Sequence, residues 1–364
     1  MSELATIFRR HGSAYRKVRG QPMVPSHRRA IQDIIRCRTE ALGGHVYQCS
    51  DCRETEYRYH SCRNRHCPKC QSGTGQRWLA KQQALLLPVP YFLMIFTFPA
   101  SLRQTALRNQ KAVYNILFRT SAAALQKLAG DSRFVGGQIG MVGVLHTWGR
   151  NLSYHPHVHY LIPSGGLSAE GDRWLSARHN FLVPVKALSI LFRAKFRDAL
   201  KGTDLFAQVP KETWMQDWVV HCQPVGNGVA ALRYLAPYIF RVAISNKRIL
   251  RVTDEKVMFR YRPSDTDRPR TCTLTVVEFI RRFLLHVLPK GFVKVRYYGL
   301  FSPSLRHKLA IITLWLSIHK RQKVIEKSTA SAQTETAAEE VRCPSCGQVM
   351  RLVHVLRPRR GPPQ

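Results

Sequence analysis

The sequence predicts an α+β fold, because strand-like apolar segments and helix-like amphipathic segments follow one another along most of the chain. Residues 91–98 (YFLMIFTF) form a short and almost wholly apolar run, which indicates a buried strand. Residues 185–201 place apolar side chains at helical spacing among basic ones, which predicts a helix. Residues 45–72 are dense in histidine and cysteine and hold few apolar residues, so they predict a small module that needs a metal ion to fold.

The other elements are predicted from the same patterns, in chain order. Residues 1–44 are expected to be helical and to end at Gly43-Gly44, and residues 75–87 are expected to form a helix before a proline-rich turn. Further strands are expected at 139–147, 157–162, 217–225 and 273–277, with a hairpin at 248–261. Further helices are expected at 101–129, 228–244, 278–287 and 305–321. Residues 327–340 are polar and poor in bulky apolar side chains, which predicts a disordered linker.

The charge of the chain predicts a nucleic-acid partner. Its 57 lysines and arginines outnumber 22 aspartates and glutamates and give a formal net charge of +35. Such an excess would repel itself in a protein that met no polyanion, whereas Lys and Arg bind phosphates with release of counterions. A ribosomal-type protein would be shorter and poorer in cysteine. A membrane-surface binder would need a basic amphipathic helix with a broad apolar face. No such helix stands out in this sequence, so no membrane partner is expected.

The apolar and cysteine content indicate the compartment. The most apolar stretch, residues 85–99, is shorter than the roughly 20 residues that span a bilayer, and Pro88, Pro90 and Pro99 interrupt it. The N-terminus lacks the apolar core of a secretory signal, so a cytoplasmic protein acting at the bacterial nucleoid is expected. Ten cysteines in that compartment favour metal sites over disulfides.

Two CxxC pairs predict a structural zinc site. Cys49-x2-Cys52 and Cys67-x2-Cys70 are separated by fourteen residues, a spacing at which four thiolates can surround one Zn²⁺. A site closed by four thiolates has no open position for water or substrate, so this zinc is expected to be structural. Three further residues of the module could replace a ligand or hold a second ion: His60, Cys62 and His66.

The module is also basic. Arg63, Arg65 and Lys69 are expected to contact DNA phosphates, with Tyr57 and Tyr59 available to stack on bases. The alternative is that these charges only keep a small module in solution.

A third CxxC pair, Cys343-x2-Cys346, is half of a site. His354 could add a third ligand. An equally good interpretation is that this pair is an incomplete or truncated zinc knuckle.

The segment SYHPHVHYLIP carries the second predicted metal site. Alternate residues of a strand share a face, so His155, His157 and His159 are expected to point one way and the intervening apolar residues the other. Clustered imidazoles on an apolar strand are typical ligands of a divalent metal. Either His155 or His146, on the preceding strand, is expected to be the third ligand beside His157 and His159.

Tyr234 and Tyr238 lie four residues apart, so on a helix both hydroxyls would face one way. Aromatic residues at this spacing are more often part of a core than catalytic. Arg150, in the loop between the two strands that carry the histidines, is expected to contact DNA.

Together these motifs resemble the HUH endonucleases and, more specifically, the two-tyrosine transposases of the insertion-sequence 91 family. The likeness spans roughly residues 25–300 and rests on four segments in a fixed order. These are RNRHCPKCQ, FTFP, HTWGRNLSYHPHVHYLIPSGG and RYLAPYIFRVAISNKRI.

The resemblance implies a central antiparallel sheet flanked by helices, with the histidines on a central strand. It also implies that Tyr234 and Tyr238 attack single-stranded DNA at the ends of a mobile element with Mg²⁺ or Mn²⁺, forming 5′-phosphotyrosine links during rolling-circle transposition. The expected division of the chain is an N-terminal helix and zinc-binding module for DNA recognition at 1–80 and a catalytic domain at 88–300. A basic helix at 301–326 and a linker with a basic CxxC tail at 327–364 complete it.

Pro237 departs from a regular tyrosine helix. Proline in a helix interior costs about 3 kcal/mol, so the helix is expected to begin or kink near Pro237 and to hold Tyr238 more firmly than Tyr234.

Three other functions remain open from the sequence: a rolling-circle replication initiator, a non-catalytic zinc-dependent DNA-binding protein, and a transposase inactivated by Pro237 or by its short tail. The N-terminal zinc module favours a transposase over a replication initiator.

Overall fold

A five-stranded antiparallel sheet lies at the centre of the protein, as a computed structural model shows. The structure describes residues 4–70, 79, 82–83, 85–230, 232, 243–263, 266, 268–321 and 340–359. The α-helices of that part are α1 (Leu4–Arg19), α2 (Pro25–Arg36), α3 (Arg103–Arg108), α4 (Gln110–Ala129), α5 (Val185–Lys201), α6 (Val276–Leu285) and α7 (Arg306–Arg321). The strands of the first half of the chain are β1 (Gly44–Cys49), β2 (Thr55–Tyr59), β3 (Pro90–Thr97), β4 (Gly140–Trp148), β5 (Tyr154–Pro163), β6 (Gly165–Leu167) and β7 (Trp174–Ser176). The later strands are β8 (Val219–Asn227), β9 (Ile249–Val252), β10 (Lys256–Tyr261), β11 (Arg270–Thr275), β12 (Val295–Gly299) and β13 (Met350–Leu356).

The central sheet has the strand order β12-β4-β5-β3-β8, so the strand that carries the histidines is its middle member. One face of this sheet packs on α4 and α5 through a large aromatic core. Phe96 and Tyr160 meet edge to face at 5.7 Å, and Phe96 meets Phe192 of α5 at 5.1 Å. Val158, Tyr160 and Ile162 are all buried in this core, which confirms the predicted alternation along β5.

The opposite face of the sheet carries the histidines and a second layer of apolar residues. Leu93, Val142 and Leu161 are buried there. The same cluster includes Leu300, Phe301, Leu309 and Ile312. Leu232 joins the same cluster with 1% of its surface exposed. The sheet is therefore covered on both faces, with the two-layer burial that a central sheet between helices requires.

A second core joins the N-terminal helices to the later part of the chain. The sheet β11-β10-β9 and α6 pack against α1 and α2, and the rings of Phe8 and Phe283 meet at 5.3 Å. Leu4, Ile7 and Phe8 of α1 form one apolar face, which is buried against α6. The N-terminal unit predicted at 1–80 therefore packs on part of the predicted catalytic domain.

A third, small sheet has the order β13-β1-β2. β1 and β2 form a hairpin in the cysteine-rich module, and β13 brings the C-terminal tail to the other edge of β1. The tail is thus paired with the N-terminal module, although more than 280 residues of sequence lie between them.

Most predicted elements are found within one to three residues of their expected ends, and the α+β class with its central antiparallel sheet is confirmed. The helix expected at 101–129 is two helices, because the backbone of Asn109 leaves the helical region (φ −127°, ψ 44°). The strand at 295–299 was missed. The helix expected at 228–244, the one at 75–87 and the linker at 327–340 lie wholly or mostly outside the described residues.

Among the described residues, no helix combines the length and the apolar character that crossing a membrane requires.

Candidate metal centres and their surroundings

His146, His157 and His159 form a cluster on the middle strands of the central sheet. β4 and β5 pair in a register that sets His146 directly opposite His157, and His159 follows two residues later on the same face. The ring centroids are 4.4 Å apart for His146 and His159 and 4.9 Å apart for His157 and His159. One nitrogen of each ring lies within 4.8 Å of the others, a spacing that one metal ion can bridge.

Hydrogen bonding and burial prepare these rings to act as ligands. The Nδ1–H of His157 donates to the carbonyl oxygen of His155 at 2.6 Å, which fixes the tautomer and leaves Nε2 as the metal-binding atom. Burial lowers the pKa of His157 to about 4 and the pKa of His159 well below its ordinary value. Both rings are therefore neutral at physiological pH. Three imidazole rings form a donor set that fits a divalent transition metal.

His155 is held outside the cluster. Its Nδ1 accepts a hydrogen bond of 2.9 Å from the guanidinium of Arg103, so this nitrogen is occupied. Burial and the charge of Arg103 lower the pKa of His155. Of the two candidates for the third ligand, the structure places His146, and not His155, with the other two histidines.

A buried basic region adjoins the cluster. The Trp148 ring stacks on His146 with centroids 5.5 Å apart, and the ammonium of Lys294 lies 4.9 Å from the centre of the Trp148 ring. Burial and the nearby Arg65 lower the pKa of Lys294 to about 7. On the other side of Trp148, His286 receives a hydrogen bond from the Thr147 hydroxyl at 3.4 Å and donates to a backbone carbonyl at 3.2 Å.

Tyr234 and Tyr238 lie outside the described residues. The residues that flank their segment are described. Leu232 lies on the face of the sheet that carries the histidines and lines a small cavity with Val142 and Leu161. Ile244 is fully buried in the second core, against which Trp148 packs.

The cysteines form two clusters, and neither is the expected set of Cys49, Cys52, Cys67 and Cys70. In the first cluster, Cys67 and Cys70 join Cys37 and Cys62, with sulfurs of Cys70 and Cys37 separated by 3.4 Å. In the second, Cys49 and Cys52 join the C-terminal pair Cys343 and Cys346. The single predicted site is thereby corrected. Cys49 and Cys52 occupy the turn between β1 and β2, which faces the tail and not the Cys67 turn.

Of the three other residues considered as ligands in the module, one belongs to a cysteine cluster and two do not. Cys62 belongs to the first cluster. His60 instead packs its ring on His45 at 5.0 Å, and Nε2 of His66 accepts a hydrogen bond from the Leu288 amide at 3.3 Å. His354 lies exposed on β13, opposite Val46, and belongs to neither cluster.

The four predicted DNA contacts have different environments. Arg63 is exposed and Lys69 is half-buried, both beside the first cysteine cluster. Arg65 donates to the Phe292 carbonyl oxygen at 2.6 Å. Arg150 is exposed but donates to the carbonyl oxygens of Arg262 and Pro263 at 3.2 and 2.5 Å. Arg65 and Arg150 thus have structural contacts that the sequence did not indicate.

Sequence reasoning missed Cys37 as a member of a cluster, because a single cysteine after a helix has no CxxC spacing. Nothing in its spacing distinguishes Cys37 from the other isolated cysteines. Of ten cysteines, eight form two sets of four, and Cys222 and Cys272 remain outside both. Arg103 and Lys294 were also missed, since nothing in their local sequence marks proximity to the histidines.

Comparisons with known proteins identify transposases as relatives of this chain. Residues 140–308 match a family model described as "Putative transposase", and residues 7–98 match the zinc-binding domain of insertion-sequence 91 transposases. The chain is 38% identical to the "Putative transposase y4qJ" of Sinorhizobium fredii, over 100% of this chain and 97% of that protein. It is 26% identical to the transposase of insertion sequence element IS801 from Pseudomonas savastanoi pv. phaseolicola, over 75% of this chain and 69% of that protein. No solved structure matches the chain significantly.

Proposed function

Because the chain belongs to the insertion-sequence 91 family of transposases, we propose that it nicks single-stranded DNA at the ends of its mobile element and transfers the strands through 5′-phosphotyrosine links. The observation that carries this proposal is the cluster of His146, His157 and His159 on the central strands. Leu232, which precedes Tyr234 by two residues in the sequence, is buried on the same face of the sheet.

The three histidines would hold a divalent ion, Mg²⁺ or Mn²⁺. Such an ion supplies Lewis-acid polarisation of the scissile phosphate and neutralises charge in the transition state. The protein's own contribution is a fixed donor geometry. Paired strands set the spacing of the rings, and the hydrogen bond from His157 to the His155 carbonyl holds one ring in the ligating tautomer.

In the nicking step, a tyrosine hydroxyl loses its proton and its oxygen forms a bond to phosphorus. The bond from phosphorus to the 3′-oxygen breaks, and that oxygen takes up a proton to become a free 3′-OH. Because the ester energy is kept in the phosphotyrosine, a 3′-OH can later attack it and restore a phosphodiester without ATP. An unperturbed tyrosine has a pKa of about 10. The positive charge of Arg103 lies beside the histidine cluster and would favour the phenolate.

Two tyrosines permit two successive transfers, in which one holds the donor end while the other acts on the second end. The net charge of +35 supplies sequence-independent attraction for the DNA backbone. Arg63 and Lys69, and the stacked rings of Tyr57 and Tyr59 at 6.2 Å, offer phosphate and base contacts on the zinc module.

The test is a cleavage assay on labelled single-stranded DNA carrying the ends of the element, with Mg²⁺ or Mn²⁺ and denaturing gels. A metal-dependent, protease-sensitive adduct at the 5′ end is expected for the wild type. It should be absent in His157→Ala and in Tyr234→Phe/Tyr238→Phe, and present in the control Tyr261→Phe. An adduct that survives in the double tyrosine variant would disprove the assignment of the nucleophiles.

A single substitution tests the two-nucleophile scheme separately. Tyr234→Phe is expected to form one adduct but not to complete both transfers. Completion of both by Tyr234→Phe would leave Tyr238 as the one nucleophile.

A further inference from the structure

We propose that the chain holds a second structural zinc ion, which joins the C-terminal tail to the N-terminal module. Its ligands are the thiolates of Cys49, Cys52, Cys343 and Cys346. The matched zinc-binding domain covers residues 7–98 and so contains only half of this site. The inference does not depend on the proposed DNA chemistry.

The sulfur positions fit one tetrahedral ion. The Sγ atoms of Cys52 and Cys343 are 3.4 Å apart, those of Cys49 and Cys346 are 3.5 Å apart, and those of Cys346 and Cys52 are 3.6 Å apart. A zinc–sulfur distance of 2.3 Å predicts edges of about 3.8 Å for four tetrahedral sulfurs. The separations are far above the roughly 2 Å of a covalent disulfide. The arrangement therefore favours a shared cation over two S–S bonds.

The two contributing turns have the same backbone design. In the first, the amide of Cys49 donates to the carbonyl of Glu54, and Arg53 has a left-handed φ of 60°. In the second, the amide of Cys343 donates to the carbonyl of Gln348, and Gly347 has a left-handed φ of 79°.

In both turns the hydrogen bond joins residues five positions apart, and the left-handed residue is the fourth after the first cysteine. Two turns of identical construction thus face one another and present two thiols each. Such matched turns are what two halves of a four-thiolate zinc site require.

The surroundings of this site contain little else to hold the tail. Its buried cluster is small and consists of Cys49, Val341, Cys343 and Met350, with Tyr47 packed against it. β13 pairs with β1, but Leu352, Val353 and Val355 remain 51–54% exposed. A short strand with so little apolar burial is marginal by itself. Metal binding supplies the free energy that the missing core does not.

The consequence is a basic surface assembled from both ends of the chain. The strand pairing places Arg351 opposite Gln48 of β1, and Arg359 forms a 3.0 Å ion pair with Glu40. The zinc would keep these tail arginines beside the hairpin that carries Tyr57 and Arg58.

The first experiment compares the zinc content of full-length proteins purified under reducing conditions. Cys343→Ser/Cys346→Ser is expected to hold one zinc fewer per chain than the wild type. The control Cys222→Ser/Cys272→Ser removes two cysteines that lie in neither cluster and should leave the zinc content unchanged. An unchanged content in Cys343→Ser/Cys346→Ser would overturn the proposal.

A second experiment uses the wild-type protein alone, so that misfolding of a variant cannot decide the result. Cys52 and Cys346 are exposed, and free thiols there would react rapidly with iodoacetamide. With a reductant present, both should resist alkylation until a chelator is added, and the four cysteines should then become reactive together. Rapid alkylation before chelation, or protection that the reductant alone removes, would contradict a zinc site.

Discussion

The histidine cluster lies on two paired strands in the middle of a five-stranded sheet, whereas both cysteine clusters lie on turns near the ends of the chain. His146 and His159 are 2% and 4% exposed and are packed between neighbours of the same sheet. Cys52 and Cys346 are exposed, and the cluster around them contains only a few apolar residues. The sheet sets the positions of the histidines without metal. The cluster around Cys52 and Cys346 has no comparable scaffold, whereas Cys37 and Cys67 of the other cluster are buried in the second core.

This difference separates two uses of a metal ion in one protein. A site that the fold prepares can bind and release its ion while the protein stays folded, which suits chemistry. A site whose ligands come from distant parts of the sequence gains its order from the ion, which suits structure.

The largest effect is expected on stability at the first cysteine cluster. Cys67→Ser should lower the free energy of unfolding by more than about 5 kcal/mol, because structural zinc contributes roughly 10–16 kcal/mol in small zinc-binding peptides. His157→Ala should lower it by less than about 2 kcal/mol, since the sheet remains paired. Denaturant unfolding of both variants, with Cys222→Ser as the control, measures the difference. Equal losses at Cys67 and His157 would remove the distinction between the two kinds of site.

The second effect is expected on activity within the histidine strand. His146→Ala should reduce adduct formation on the order of a thousandfold, because loss of a ligand removes several kcal/mol of metal stabilisation. His155→Ala, beside the cluster but bonded to Arg103, should change the rate by less than about tenfold. Single-turnover rates at saturating Mn²⁺ separate the two. A larger loss in His155→Ala than in His146→Ala would reverse the choice of the third ligand.

The contrast between the sites also explains what the sequence could predict. The clustering of the histidines was predicted, because a strand has a period of two and the neighbouring strand follows after a short loop. Only the choice between His146 and His155 stayed open, and it depended on the register of β4 and on Arg103, which lies in a different element.

The cysteine sites were predicted to exist but were grouped wrongly. CxxC spacing identifies a turn with two ligands and carries no information about which turn it faces. The partner of Cys49 and Cys52 lies more than 280 residues away and is brought near by the pairing of β13 with β1. The strand at 295–299 was missed for a related reason. Its residues VRYYG have little alternation, and their pairing with β4 decides their conformation.

The third prediction concerns His286, which follows α6 of the second core and contacts Thr147 of β4 in the central sheet. Its side chain is 2% exposed. Burial lowers its pKa from 6.5 to about 4, so the folded protein binds this proton less well than the unfolded chain does. Its contribution to stability is therefore complete above pH 6.5 and is lost as the pH falls from 6.5 to 4, by up to about 3 kcal/mol. His286→Gln should remove that part of the acid sensitivity. Urea unfolding at pH 7, 5.5 and 4.5 gives the comparison, and identical pH slopes for both proteins would exclude a titrating role for His286.

The fourth prediction concerns the choice of metal at the histidine cluster. Imidazole nitrogens suit transition metals, whereas Mg²⁺ prefers carboxylate and water oxygens. Mn²⁺ is therefore expected to support half-maximal adduct formation at a concentration about tenfold lower than Mg²⁺. Metal titrations of the wild type at constant ionic strength measure this ratio. A preference for Mg²⁺ would indicate that a carboxylate from outside the described residues belongs to the site.

The smallest effect is expected for two arginines separated by one residue in the zinc module. Both side chains are exposed, and Arg65 donates a hydrogen bond to the Phe292 carbonyl, two residues before Lys294. Arg65→Ala should lower the free energy of unfolding by about 1–2 kcal/mol, because a buried carbonyl loses a charged donor. Arg63→Ala should leave stability unchanged and weaken DNA binding by less than about tenfold, as expected for the loss of one phosphate contact.

Denaturant unfolding and salt-dependent binding to single-stranded DNA, performed on both variants, distinguish the two roles. If Arg63→Ala reduces the salt dependence of binding and Arg65→Ala does not, the module combines one DNA contact with one structural contact to the catalytic sheet. If Arg65→Ala alone reduces it, the guanidinium of Arg65 must leave Phe292 to reach DNA. The zinc module and the histidine site would then be linked through that movement.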